Sequence, residues 1–254
     1  INGKVKNQDS NWDDPFWEHL IDYSVGKSAF LLSKTNKTNF NVCTYMHADL
    51  LLNGEEVSCR QEPFKDELKL GYNAEIELVK GDKLTLTKYG GYTVSLNHSE
   101  NQLKQVAEEK INSARAKGFI GLLKEHEQQW HTIWKMSDIV IKGDLSAQQG
   151  IRFNIFQLNQ TYTGKDSRLN IGPKGFTGEK YGGSAYWDTE AYCLPFYMVT
   201  KNANVARNLL KYRYDQLPKA IENAKKLGFE NGAALYPMVT MNGEECHNEW
   251  EITF

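Results

Sequence analysis

The chain has 254 residues, a formal net charge of −2, 40% hydrophobic residues and 24% charged ones, which is enough to bury a core in one or two domains. Near-neutral charge without a basic run argues against nucleic acid as the main partner, and no apolar run approaches the ~20 residues that span a bilayer. Four cysteines, Cys43, Cys59, Cys193 and Cys246, lack CxxC spacing and are too sparse for a disulfide scaffold.

From about Gly26 to Leu96 the pattern is strand-like. Thr38 to Met46 alternates apolar and polar positions with period two. Asn53-Gly54, between Leu50-Leu-Leu52 and Glu55-Glu-Val57, predicts a type I′ hairpin. Ala74 to Val79 and Lys83 to Lys88, around Gly81-Asp82, predict a second hairpin, and Gly90-Gly91 is read as separating it from Tyr92 to Leu96. Strands joined by short turns predict an antiparallel sandwich rather than βαβ units.

At Ser99 the period changes. Ser99 and Gln102 predict a capping box, after which Leu103, Val106, Ala107, Ile111 and Ala114 recur at helical spacing. Lys117-Gly118 is expected to interrupt that helix. Phe119, Leu122, Leu123, His126, Trp130, Ile133 and Trp134 continue on one face, where His126 and His131 read as packing positions. Ser146 and Gln149 are expected to cap a helix carrying Ile151, Ile155, Phe156 and Leu158. Ala203 to Tyr214 predicts another, and Pro218 suits the start of one ending at Gly228. Strands first and helices afterwards predict an α+β chain of two domains joined near Ser99 to Asp144.

The stretch Gly172 to Glu190 carries the densest chemistry. Its glycines and Pro173 exclude regular structure until Tyr186-Trp-Asp-Thr-Glu190, which opens a helix-compatible apolar run from Ala191 to Val199. An indole face suits the C–H surface of a pyranose, and a carboxylate accepts from neighbouring hydroxyls. The same residue types also fit a surface loop followed by a buried helix with acids at its positive end.

The wording Gly175-Phe-Thr-Gly-Glu-x-Tyr-Gly-Gly-x-x-Tyr-Trp-Asp-Thr-Glu190 resembles glycoside hydrolase family 65, the inverting α-glucoside phosphorylases. Gly232-Ala-Ala-Leu-Tyr-Pro-Met-Val-Thr240 and Gly243-Glu-Glu-Cys-His-Asn-Glu-Trp-Glu-Ile-Thr-Phe254 are similar to its maltose phosphorylase branch. Lys211 to Pro218 and Ala220 to Gly228 fit the same family, as do Trp130, Trp134, Asp138 and Arg152 to Leu158. The resemblance is strong from Trp130 onward and rests on pattern before that. It implies the end of an amino-terminal β-sandwich over residues 1–98, a helical linker over 99–144 and the first part of an α/α barrel over 145–254. Because Ile1 is not an initiator and Ile252-Thr-Phe254 carries no stop signal, the chain is expected to be a fragment, inactive alone.

Breaking a glycosidic bond needs a protonated carboxyl to assist the leaving oxygen. An inverting hydrolase adds a carboxylate that activates water, whereas a phosphorylase uses phosphate, itself anionic, positioned by cations, hydroxyls or backbone N–H donors. The resemblance implies that Trp187 and Asp188 line the pocket for the glucosyl unit. Glu190, two residues on, is expected to face elsewhere and pair with Arg213.

Met238-Val-Thr240 departs from kojibiose and trehalose phosphorylases, which show a Trp-Glu pair there and an arginine near Gly182. Glu244, Glu245, His247, Glu249 and Glu251 cluster near the end. The cluster fits a solvated helix start, an ion-pair network or a substrate rim, with Glu245 and His247 as rim candidates. The family's general acid lies in a Gly-Pro-Asp-Glu-Tyr motif that this chain lacks, so no catalytic residue is assigned. No histidine spacing suggests a metal, and Lys80-Gly-Asp-Lys83 and Gly143-Asp144 read as turns.

The parent enzyme is therefore expected to convert maltose and phosphate to β-glucose 1-phosphate and glucose. Inorganic phosphate is its co-substrate, no other cofactor is implied, a homodimer is the family expectation, and a cytoplasmic location is expected. An inverting α-glucoside hydrolase and a non-catalytic carbohydrate-binding protein are the alternatives.

Overall fold

The computed structural model describes residues 1–3, 17–36, 38–57, 59, 61–172 and 184–245. They fall into two compact units, one running to Glu127 and the other from Gln128 onward.

The first unit is an antiparallel sheet. Strands β1 (Trp17–Val25), β2 (Ser28–Thr35), β3 (Asn41–Leu52) and β4 (Glu55–Glu56) are neighbours in that order. β5 (Gln61–Asp66) and β6 (Lys69–Ala74) form a separate hairpin, and β7 (Leu84–Val94) pairs with β3 from Leu84↔Leu52 to Val94↔Val42. Period-two alternation divides the sheet's faces. Ala29, Leu31, Met46 and Ala48 pack with Leu70 of β6 on one face, while Phe30 and Cys43 pack with Leu103, Ala107 and Ile111 on the other.

At the β3–β4 turn, Asn53 (φ 54°) and Gly54 (φ 92°) both adopt the positive φ that a type I′ hairpin requires. The second expected hairpin does not form a ladder. Residues 75–79 belong to no strand, and Asp82 closes the turn by accepting from Val79 N at 2.9 Å. Gly90 and Gly91 are not a break either, because β7 runs through them. A Cβ on Gly91 would lie 2.5 Å from Tyr45 Oη, so glycine there admits a ring from the neighbouring strand. β1 begins ahead of the expected strand region, and its alternation is obscured by a bulge between His19 and Ile21.

Helix α1 (Leu103–Ser137) is broken at Gly118, whose φ of 67° and ψ of 171° no helix tolerates. The expected Ser99 cap is absent. Ser99 makes no side-chain cap bond, and a short 3₁₀ turn, Glu100–Gln102, leads into the helix instead. Leu103, Ala107 and Ile111, spaced by four, form the stripe buried on the sheet. Arg115, the next position on that stripe, donates to Asp49 through Nε (2.9 Å) and Nη2 (3.1 Å). Asp49 also meets His47 Nε2 at 3.0 Å, and His47 Nδ1 meets Ser28 Oγ at 2.8 Å.

In the second unit the last turns of α1 pack on α2 (Leu145–Thr161), with Trp130 stacked on Phe156 at 4.9 Å and Arg152 bidentate on Asp138. α2 is capped by Asp144, which accepts from Ala147 N at 2.9 Å, rather than by Ser146, which lies inside the helix. After β8 (Ala185–Tyr186) come a π-helical turn (Thr189–Cys193), α3 (Leu194–Thr200), α4 (Ala203–Tyr214), α5 (Leu217–Lys226) and β9 (Val239–Thr240). Asn202 caps α4, Pro218 sits in the first turn of α5, and Gly228 (φ 81°) follows its end. Tyr162, Ile171, Tyr197 and Leu209 form the core, where Tyr197 donates to Leu158 O at 2.7 Å. Among the described residues no helix is long and apolar enough to cross a membrane.

Candidate functional site

The two motif blocks meet. β8 pairs antiparallel with β9, Ala185 opposite Thr240 and Tyr186 opposite Val239. Segments more than fifty residues apart are thus brought side by side. Trp187 and Asp188 leave β8 at this ladder. Trp187 is 49% exposed and Asp188 is exposed, whereas Thr189 immediately after them is 2% exposed. An indole face and a carboxylate are therefore presented outward from an anchored turn.

Three contacts fix that turn. Thr189 Oγ1 donates to Ile171 O at 2.8 Å in the core. Arg213 of α4 donates to Glu190 through Nε (3.1 Å) and Nη2 (3.3 Å), the pairing expected from the sequence. Asn170 adds a longer bond to Glu190 at 3.4 Å. Residues 189–193 adopt π-helical hydrogen bonding, the one-residue widening that often marks functional segments of helices.

The β9 side is held by a second set. Tyr212 Oη donates to Met241 O at 3.0 Å, and buried Thr240 accepts from Gly243 N at 2.7 Å. Asn223 donates to both Leu235 O (3.3 Å) and Gly243 O (3.1 Å). Gly243 has φ 96°, and a Cβ there would lie 2.9 Å from Lys219 Cβ, so this position requires glycine. Glu245 folds back on the strand, accepting from Met238 N (2.8 Å) and Val239 N (3.2 Å). Glu244 lies 3.4 Å from Lys219, whose amine is held above its ordinary value by the Glu222 and Glu244 carboxylates. His247, and the glycine-rich stretch from 173 to 183, lie outside the described residues.

Two phenols, Tyr162 and Tyr197, are buried in the core beside the turn. Burial pushes the Tyr162 hydroxyl up to about 12 and raises that of Tyr197 further. Burial also raises the Cys193 thiol, with the Asp188 and Glu190 carboxylates adding to it. Neither phenol ionises at neutral pH. No group of three or more His, Cys, Asp or Glu that could hold a metal occurs among the described residues. A cleft of about 320 Å³ in the first unit is lined by Glu55, Glu56, Glu75 and Glu77 and no aromatic ring, which does not suit a neutral sugar.

Sequence reasoning assigned no role to Thr189, Tyr212, Asn223 or Gly243. The first three act through a single polar atom each, Thr189 and Tyr212 on one distant backbone group and Asn223 on two, a relation that periodicity does not carry.

Residues 1–133 match the glycosyl hydrolase family 65 N-terminal domain, and residues 152–254 match the glycosyl hydrolase family 65 central catalytic domain. The chain is 43% identical to maltose phosphorylase of Bacillus subtilis over its full length, covering 33% of that protein. It is 38% identical to α,α-trehalose phosphorylase of Thermoanaerobacter brockii, over 97% of this chain and 32% of that one. A solved structure named "Putative kojibiose phosphorylase from human microbiome" superposes with a TM-score of 0.76 at 32% identity, over 91% of this chain and 29% of that chain. The chain thus spans about a third of the length of these relatives. With its antiparallel sheet domain followed by helices, and both domain signatures in order, the chain belongs to glycosyl hydrolase family 65.

Proposed function

We propose that the chain is the part of an inverting α-glucoside phosphorylase that supplies one wall of the glucosyl pocket, with maltose as the disaccharide. The β8–β9 ladder carries this reading: it sets the outward-facing Trp187 and Asp188 beside the Met238 to Thr240 segment. In the reaction, the Trp187 ring would stack on the C–H face of the non-reducing glucose while Asp188 accepts from its hydroxyls. A carboxylate so placed holds the anomeric carbon in register for displacement. A general acid protonates the glycosidic oxygen, and phosphate attacks the opposite face, inverting the anomeric configuration. No residue of this chain is assigned either of those two roles.

Glu245 stays a candidate for the pocket rim, its two oxygens accepting from Met238 N and Val239 N at the start of β9. His247 is retained as a rim candidate from the sequence. The division into the end of a sandwich (1–98), linker (99–144) and first part of a barrel (145–254) belongs to the same proposal. So does a homodimeric parent in the cytoplasm.

The complete gene product, incubated with maltose with and without inorganic phosphate, tests the reading. Phosphate-dependent release of glucose together with β-glucose 1-phosphate is expected. Equal glucose release without phosphate, and no sugar phosphate, would mean hydrolysis and overturn it. Binding of maltose with no turnover under either condition would mean a carbohydrate-binding protein.

A further inference from the structure

The last turn of α4 touches both halves of the candidate site through two adjacent residues. Tyr212 reaches the loop after β9, donating to Met241 O at 3.0 Å. Arg213 reaches the turn after β8, clasping the Glu190 carboxylate at 3.1 and 3.3 Å. Consecutive helical residues point about 100° apart, so one turn of α4 can grip two segments that are themselves paired. Arg213 is 8% exposed, and its remaining terminal nitrogen, Nη1, is buried without a hydrogen-bond partner among the described residues. An arginine buried at that cost is poor evidence of stabilisation, because a well-packed apolar side chain would serve stability as well or better. What a bidentate guanidinium supplies is direction. It fixes the plane and position of Glu190, two residues beyond Asp188 in the π-helical turn.

We infer that Arg213, acting through Glu190, is a positioning residue that sets where Asp188 and Trp187 meet the glucosyl unit, and that Tyr212 does the same for the opposing β9 loop. This rests on the glucosyl-pocket reading of Trp187 and Asp188. Neither residue touches the sugar. The expected signature is selective: loss of the grip displaces the glucosyl wall and leaves the phosphate site alone. Misplacing a binding group by about 1 Å costs up to ~100-fold in rate, so an effect on the glucoside is expected well before the fold fails.

The test uses the complete gene product carrying Arg213→Lys, Arg213→Met, Glu190→Gln or Tyr212→Phe. KM for maltose and KM for phosphate are measured separately, and melting temperature is followed in parallel. Arg213→Met is expected to raise the maltose KM about tenfold or more with the phosphate KM unchanged. Arg213→Lys, which keeps the charge but not the fork, should recover part of the loss, and Glu190→Gln should resemble it. Tyr212→Phe, a change of one oxygen that keeps the ring's packing, should raise the maltose KM more mildly. If the wild-type protein hydrolyses or merely binds maltose, the phosphorylase reading fails, yet the hydrolytic KM or the calorimetric Kd for maltose still reports the positioning role. Lowered melting temperatures with maltose KM or Kd unchanged across the series would overturn the inference and leave a structural ion pair. Failure of Lys to improve on Met would overturn it as well.

Discussion

The residues that most constrain this chain are those whose replacement meets something already in place. Gly91 is one: Tyr45 Oη occupies the space where its Cβ would stand. Gly91→Ala must displace a ring that lies against β7, a change of the kind that costs ~1–3 kcal/mol, and a melting-temperature drop of several degrees in the full-length protein is expected. Cys43 is another. It is wholly buried, and burial pushes its thiol up to about 11. It is therefore protonated and inaccessible at neutral pH, so alkylation of native protein followed by peptide mapping should leave Cys43 unmodified until denaturant is added. At this scale the sequence was partly legible. The Glu190–Arg213 pair could be read from a carboxylate that had to face away from its neighbour, and Asn53-Gly54 from the positive φ its turn needs. Tyr212, Thr189 and Asn223 were not legible, because each spends one polar atom on backbone groups chosen by tertiary packing.

At the scale of elements, α1 shows how a helix is docked and then released. Leu103, Ala107 and Ile111 supply the apolar stripe, Arg115 ends it with the Asp49 contact, and Gly118 breaks the helix three residues later. Burial alone would raise the Asp49 carboxyl, but hydrogen bonds from Arg115 and His47 outweigh it and hold the group below its ordinary 3.8. A carboxylate with a depressed folded pKa contributes stability that is fully present above the unfolded value and is lost as pH falls through the folded one. The Asp49 contribution should thus disappear on the acid side, below about pH 4, with Lys27, Glu56, Tyr72 and Tyr89 among the other charged or titratable groups nearby. Melting temperatures measured from about pH 6 to about pH 3 should fall less steeply for Asp49→Asn than for wild type; parallel curves would refute the link.

Helix periods and Gly118 were readable because 3.6-residue spacing survives in the sequence. The strand pairing was not. Gly90-Gly91 looks like a turn until the ring of Tyr45 is placed beside it, and the Ser99 cap failed because a 3₁₀ turn took its place. Asp144 displaced Ser146 as the cap of α2 because it stands directly before the first helical residue, with its carboxylate free to meet Ala147 N.

For the whole molecule, the sequence announced its family through long compound motifs, and the matches to both family 65 domains agree with it. The ladder that unites those motifs was not foreseen, since two-residue strands leave no periodic trace. The central claim is that Trp187 and Asp188, presented by that ladder, form the glucosyl wall of a phosphorylase. The most direct measurement is kcat/KM for maltose of the complete gene product carrying Asp188→Asn, at saturating phosphate, beside wild type. Losing a charged hydrogen-bond acceptor worth ~1.5–3 kcal/mol should lower it about 10- to 100-fold, while the phosphate KM and the melting temperature stay put because Asp188 is exposed. An unchanged kcat/KM for maltose would contradict the account.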